Sequence, residues 1–272
     1  MPNVIIKRRE RLRPMLRVRT HEDLHSHLIE SAIEEYRQLC IGRGQPLGSV
    51  LAVCANYREA RSLRKFPFQR ILLTSLGPPD GWTLQELANE PRMSYEQRNC
   101  ECLGLPSRSF DLVFCKEGLH HLARPVLGLY EMLRVARQAV ILVEGYDSPV
   151  VRLLQAFNIA PRFERGNRIN LGHRTNFVFR WSNRSLQSIL NSYYLDSGYR
   201  LQVKLAWMRI SLNASPSWLV RKIAAIGGWF LTTLPLAQGN YMTAIIVPGQ
   251  DLPADPAPLQ PSHEESHTEV CH

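Results

Sequence analysis

The chain has 272 residues, 44% of them apolar and 21% charged, which permits a sizeable core and excludes wholesale disorder. Its net charge of +9 is unevenly held. Residues 1–19 carry seven Lys/Arg against Glu10, residues 151–240 carry twelve against Glu164 and Asp196, residues 20–150 are near neutral, and 249–272 hold five acids with no Lys or Arg. That pattern points to an anionic partner more specifically than the total does.

Residues 1–19 read as a basic mobile arm, followed by a domain over 20–248 and an acidic, proline-rich tail over 249–272 that is expected to be disordered. The arm leads into polar His21-Glu22-Asp23 and not into the apolar core of a signal peptide. Thr20 is placed to cap a helix in which Leu24, Leu28, Ala32, Tyr36 and Leu39 recur at helical spacing, with Gly42 closing it.

From residue 49, short apolar runs alternate with helix-like segments. The predicted strands are Val50–Cys54, Arg70–Ser75, Phe110–Cys115 and Ala139–Glu144, with a helix over Arg124–Arg137 whose inner face is read as Val126, Tyr130 and Leu133. Continuous apolar strands separated by helices predict an α/β, doubly wound, mostly parallel sheet covered on both faces.

Beyond Val150–Ile159, read as helix, Pro161–Asn176 is a loop dense in Arg, Asn and Gly. Ser182 caps a helix to about Tyr193. Tyr199–Ile210 alternates as a half-exposed strand, Pro216–Leu234 reads as helix, and Tyr241–Val247 as the last strand. The run Ile223–Val247 is uncharged but broken by Gly227-Gly228 and Pro235, short of the roughly 20 apolar residues a bilayer span needs. The six cysteines form no CxxC pair or disulfide-scaffold spacing, so a reducing cytoplasm is the expected setting.

In such a sheet, ligands bind beyond the carboxyl ends of the strands, where strand order switches. The segments there are Asn99-Cys100-Glu101-Cys102-Leu103, Ser109-Phe110-Asp111-Leu112-Val113-Phe114-Cys115 and Gly118-Leu119-His120-His121, followed by Leu129–Val135 and Ala139–Glu144. In order and spacing they resemble the S-adenosylmethionine-dependent methyltransferases of class I, most nearly the type 11 group. The resemblance covers about residues 49–147, with further support from Gln238-Gly239-Asn240. It implies a Rossmann-like fold with a cofactor-binding core over 49–147 and an acceptor-shaping insertion and last strands over 150–240, the insertion falling between the fifth and sixth strands. It also implies S-adenosylmethionine as cofactor.

The departures are specific. The family's first strand ends in an acid and a glycine-rich turn, whereas here Ala52 stands at the acidic position and no glycine occurs between Val50 and Ser75. The ribose-binding carboxylate is replaced by Ser75, with Asp80 displaced, and Asn99 stands at the adenine-contacting Asp. Carried over residue by residue, the resemblance gives Cys54, Asn56, Ser75, Asn99, Cys100, Lys116 and His120 as cofactor contacts.

His121 is the candidate general base, because an imidazole titrates near working pH. Tyr146, with Glu144 and Asp147 beside it, is placed to line the acceptor pocket. Arg165, Arg168, His173 and Arg174, in a cluster with Arg162, Arg180 and Arg184, suit a carboxylate or phosphate. Cys54, Cys100 and Cys115 are expected to be inert packing thiols. No metal site is expected.

The expected function is direct methyl transfer to a small anionic acceptor. The alternatives are a catalytically silent methyltransferase-like binding or scaffold protein, or a basic adaptor for nucleic acid or for a membrane surface. The arm serves the nucleic-acid reading, and Trp218, Trp229 and Phe230 with Arg221 and Lys222 the membrane one.

Overall fold

The structure, a computed structural model, describes residues 4–5, 21–156, 162–165, 175–195, 198–206 and 240–249. In chain order the elements are β1 (Val4–Ile5), α1 (His21–Ile41), β2 (Ser49–Val53), α2 (Tyr57–Leu63), β3 (Arg70–Ser75), α3 (Gly81–Ala88), β4 (Met93–Gln97), β5 (Phe110–Lys116) and α4 (Pro125–Val135). They continue with β6 (Ala136–Gly145), α5 (Pro149–Ala156), β7 (Phe163–Arg165), β8 (Thr175–Phe177), α6 (Asn183–Tyr194), β9 (Tyr199–Ala206) and β10 (Tyr241–Pro248). A short 3-10 turn, Leu119–His121, separates β5 from α4.

One eight-stranded sheet has the order β1-β9-β10-β6-β5-β2-β3-β4. β6, β5, β2, β3 and β4 run parallel, and β10 lies antiparallel between β6 and β9. The expected doubly wound, mostly parallel sheet is therefore present. Strand order reverses between β2 and β5, where Val53 pairs with Cys115, so the switch point lies at the carboxyl ends of these two strands.

Alternation along the strands builds two cores. Leu51, Val53, Val113, Cys115, Val140 and Leu142 face α4 and α6, packing with Leu129, Met132, Leu186 and Leu190. Val50, Ala52, Leu112, Phe114, Ile141 and Val143 face α1 and α2, packing with Ile29, Ile33, Tyr36 and Leu63. Continuous apolar strands follow directly from this two-sided burial.

Several expectations shift. β4 was not expected: it is an edge strand of sequence Met-Ser-Tyr-Glu-Gln with only Met93 fully buried, so it lacks the apolar run of its neighbours. The inner face of α4 is Leu129, Met132, Leu133 and Val135, while Val126 and Tyr130 are half-buried. The chain passes from α4 into β6 without a loop, which places Arg137 on the strand.

The polar side of β9 is covered in part: Arg200 is exposed, but Gln202 is buried and Lys204 Nζ lies 2.8 Å from Glu35 of α1. Within Pro161–Asn176, read as loop, β7 pairs antiparallel with β8, Phe163 opposite Phe177. Of the arm, Val4 and Ile5 are described, and they pair in parallel with Leu201 and Gln202. The predicted helix Pro216–Leu234, the cap Thr20 and nearly all of the tail lie outside the described residues. Among the described residues, no helix is long and apolar enough to cross a membrane.

Candidate active site at the switch point

The loop after β2 sits at the centre of the carboxyl edge. Cys54 has φ +54°, in the left-handed region that L side chains rarely adopt and that glycine takes freely. The backbone thus makes a turn of the kind glycine favours, but with a side chain present. Asn56 then caps α2: its Oδ1 accepts from Arg58 N at 2.9 Å, while its own N–H donates to Glu59 Oε2 at 2.9 Å. Its side-chain oxygen is therefore engaged in folding the loop.

The glycine missing here stands on the opposing turn. A Cβ added to Gly118 would fall 2.4 Å from Cys54 Cβ, 2.8 Å from Cys115 Sγ and 3.1 Å from Cys54 Sγ. The two loops touch because one of them is bare. Gly118→Ala should therefore cost about 1–3 kcal/mol by overpacking. The pair Gly118→Ala with Cys54→Gly should recover most of that loss in urea denaturation, whereas additive losses would show that the two turns do not bear on each other.

Below this contact, Glu144 at the end of β6 is fully buried. Its Oε1 accepts from Leu119 N at 2.8 Å, and its Oε2 lies 2.7 Å from His120 Nδ1. With Nδ1 protonated, the Glu144 carboxylate accepts from Nδ1–H. The His120 and His121 rings stack with centroids 4.1 Å apart, and His121 is the less buried of the two.

At the end of β3 the Ser75 hydroxyl bonds the Tyr95 phenol, which donates to the Gly77 carbonyl, and beyond Gly77 the space is open. Asp80 caps α3 by accepting from Thr83 N at 2.7 Å, so it is held away from the ribose role. Asn99 Oδ1 accepts from Glu101 N at 2.9 Å, turning the chain that brings buried Cys100 under the Cys54 loop. The Cys100 and Cys115 thiols hydrogen-bond the Cys54 sulfur, and these bonds hold the Cys54 thiol well below its usual range despite burial.

Lys116 lies on the α1–α2 face of β5, where its ammonium pairs with Glu117. The same carboxylate accepts from the Tyr241 hydroxyl and lies 3.2 Å from His25 Nδ1. Burial works against the Glu117 carboxylate, but His25 and Lys116 together pull it far below the usual range. His25, Glu117 and Tyr241 join α1, β5 and β10, a junction that no local spacing in the sequence signals.

Tyr146 is nearly buried, its backbone bridging Trp181. Of the arginine cluster, Arg180 is the member placed at the carboxyl edge, its Nη1 2.9 Å from the Cβ position of Gly145. Arg162 and Arg184 are exposed elsewhere, on the ribbon and on α6. Arg165 lies on β7, with its side chain outside the described residues, as are Arg168, His173 and Arg174 entirely. β8, the partner of β7, packs beside the Leu119–His121 turn, which brings this ribbon to the histidines. Among the described residues no group of three His, Cys, Asp or Glu is arranged to hold a metal ion.

Residues 54–143 match the family model of a methyltransferase domain. Among solved structures, the Haloferax volcanii complex of the Trm112 methyltransferase activator with a methyltransferase aligns with TM-score 0.52 and 14% identity, over 87% of this chain and 100% of that one. The DhpI complex with SAH aligns with TM-score 0.50 and 15% identity, over 88% and 93%. At such identities these likenesses establish the fold. No curated protein matches the chain. The strand order gives the core the Rossmann-like fold of those structures, and residues 54–143 within it are similar to a methyltransferase domain.

Proposed function

We propose that the chain is an S-adenosylmethionine-dependent methyltransferase that acts on a small anionic acceptor. The observation carrying this reading is the left-handed Cys54 turn seated against Gly118 at the point of strand reversal. A left-handed turn made without glycine supports the reading that the residues present fit the cofactor. The backbone of Cys54–Asn56 would run along its methionine part, Ser75 would meet the ribose, and Asn99 with Cys100 would border the adenine. His120 closes the floor, held by Glu144. Lys116 serves this site indirectly, by fixing Glu117.

Bound there, the cofactor supplies an electrophilic methyl group on a positively charged sulfur. His121 takes the proton of the acceptor's hydroxyl or amine, and its more open position beside the clamped His120 supports that role. Arg180, with Arg165, Arg168, His173 and Arg174 on the ribbon and its connection, would hold the acceptor's carboxylate or phosphate, while Tyr146 supports the wall from below. The basic insertion thus selects the acceptor and the near-neutral core holds the cofactor.

The test is transfer of labelled methyl groups to a panel of carboxylated, phosphorylated and neutral acceptors. Anionic acceptors should be favoured, and Arg180→Ala should weaken acceptor turnover at unchanged S-adenosylhomocysteine affinity. Preference for neutral acceptors would reject the anionic assignment, and equal loss of both functions in Arg180→Ala would reject the division of the site.

A further inference from the structure

The expectation of inert packing considers each cysteine by itself, but the fold gathers three at one point. Cys54 follows β2, Cys115 is the β5 residue paired with Val53, and Cys100 arrives on the loop after β4. The Cys54 and Cys115 sulfurs both lie within about 3 Å of the same position, the absent Cβ of Gly118. Cys100 and Cys115 are buried, whereas Cys54 is half-buried. All three are reduced.

We propose that Cys54 and Cys115 form a peroxide-oxidisable thiol pair whose disulfide closes the cofactor loop. Adjacent parallel strands lie about 4.8 Å apart. Cys54 follows a residue paired directly with Cys115, so the two Cα atoms stand within the span a disulfide bridges. Cys54 is the attacking sulfur, since it is the least buried residue of the three and receives hydrogen bonds from the other two, which favours its thiolate.

The thiolate attacks one peroxide oxygen and the O–O bond breaks. Hydroxide leaves to become water, and Cys54 becomes a sulfenic acid. The Cys115 sulfur then attacks the Cys54 sulfur. The S–S bond forms, the S–O bond breaks, and the Cys115 proton leaves with the oxygen as a second water. Two thiols have lost two electrons, and one hydrogen peroxide has become two waters. Cys100 remains reduced and serves as a hydrogen-bond donor.

The disulfide would tie the Cys54–Asn56 loop to the end of β5, removing the freedom that loop needs to receive a ligand. This consequence, unlike the linkage itself, rests on the cofactor reading above. The experiment treats the full chain with hydrogen peroxide, digests it without reduction, and maps linked peptides by mass spectrometry. Expected is a Cys54–Cys115 linkage, reversed by dithiothreitol, abolished in Cys54→Ser, and retained in a variant with Cys40, Cys102 and Cys271 changed to Ser.

A Cys54 recovered as free thiol, a Cys54–Cys100 linkage, or linkage only through Cys40, Cys102 or Cys271 would overturn the proposal. Calorimetry with S-adenosylhomocysteine on the oxidised chain should show affinity weakened at least roughly tenfold and restored on reduction. Unchanged affinity in a fully linked sample would overturn the gating. If the reduced chain binds no S-adenosylhomocysteine, the cofactor reading fails, and the mapped linkage still decides the thiol pair.

Discussion

Replacing Glu144 by Ala should cost about 3–5 kcal/mol of stability, because it strips a buried carboxylate from two donors at once. Leu119 N at 2.8 Å and His120 Nδ1 at 2.7 Å both meet this carboxylate at the buried end of β6. Glu144→Gln should cost less, about 1–2 kcal/mol. The amide oxygen can still accept from Leu119 N, while its NH2 faces His120 Nδ1 and forces the imidazole into its other tautomer. The two variants thus separate structure from chemistry: the Ala variant loses stability, and the Gln variant keeps most of it with the ring proton moved to Nε2. Urea denaturation measures the first effect, and a loss under about 1 kcal/mol for Glu144→Ala would show that the clamp is not what fixes the turn.

The second large effect is kinetic. His121→Ala should lower kcat by about 10²–10⁴-fold, the usual contribution of a positioned general base. S-adenosylhomocysteine affinity should stay the same, since the expected defect is in proton removal. A variant with parental kcat would remove His121 from the chemistry, leaving the transfer to proximity and alignment alone.

The sheet was legible from the sequence wherever both faces are covered. The runs in β2, β3, β5, β6 and β10 are apolar at nearly every residue because each alternate side chain meets one of the two helix layers. β4 escaped because it is an edge strand with exposed and half-exposed residues, and β7 and β8 because a three-residue ribbon carries too short a pattern to read. The site's places were legible as strand ends, but the side-chain meetings across them were not. Glu144 reaches His120 from a neighbouring strand, Tyr241 reaches Glu117 across 124 positions, and Gly118 compensates for Cys54 from the other side of the switch point. Such pairings depend on the register between strands, which spacing along the chain does not encode. The acid at the end of β6, one strand over from a histidine pair, was the one available signal for the clamp.

The basic charge acquires a location as well. Arg180 stands at the carboxyl edge of the sheet, and the β7–β8 ribbon carries Arg165 beside the histidine turn. The acidic partners in the core are consumed internally, as Glu86 is by Arg61 and Arg64 and Asp111 by Ser49, Arg137 and Gln138. Among the described residues, the core's near neutrality is therefore structural.

Cofactor binding, as proposed, depends on a left-handed cysteine after β2 with a glycine on the opposing turn. Isothermal titration of the reduced full chain with S-adenosylhomocysteine tests it most directly. The account predicts saturable binding with one site per chain, preserved in Cys54→Gly and weakened in Gly118→Ala. No binding at millimolar ligand, in both the parent and Cys54→Gly, would contradict it.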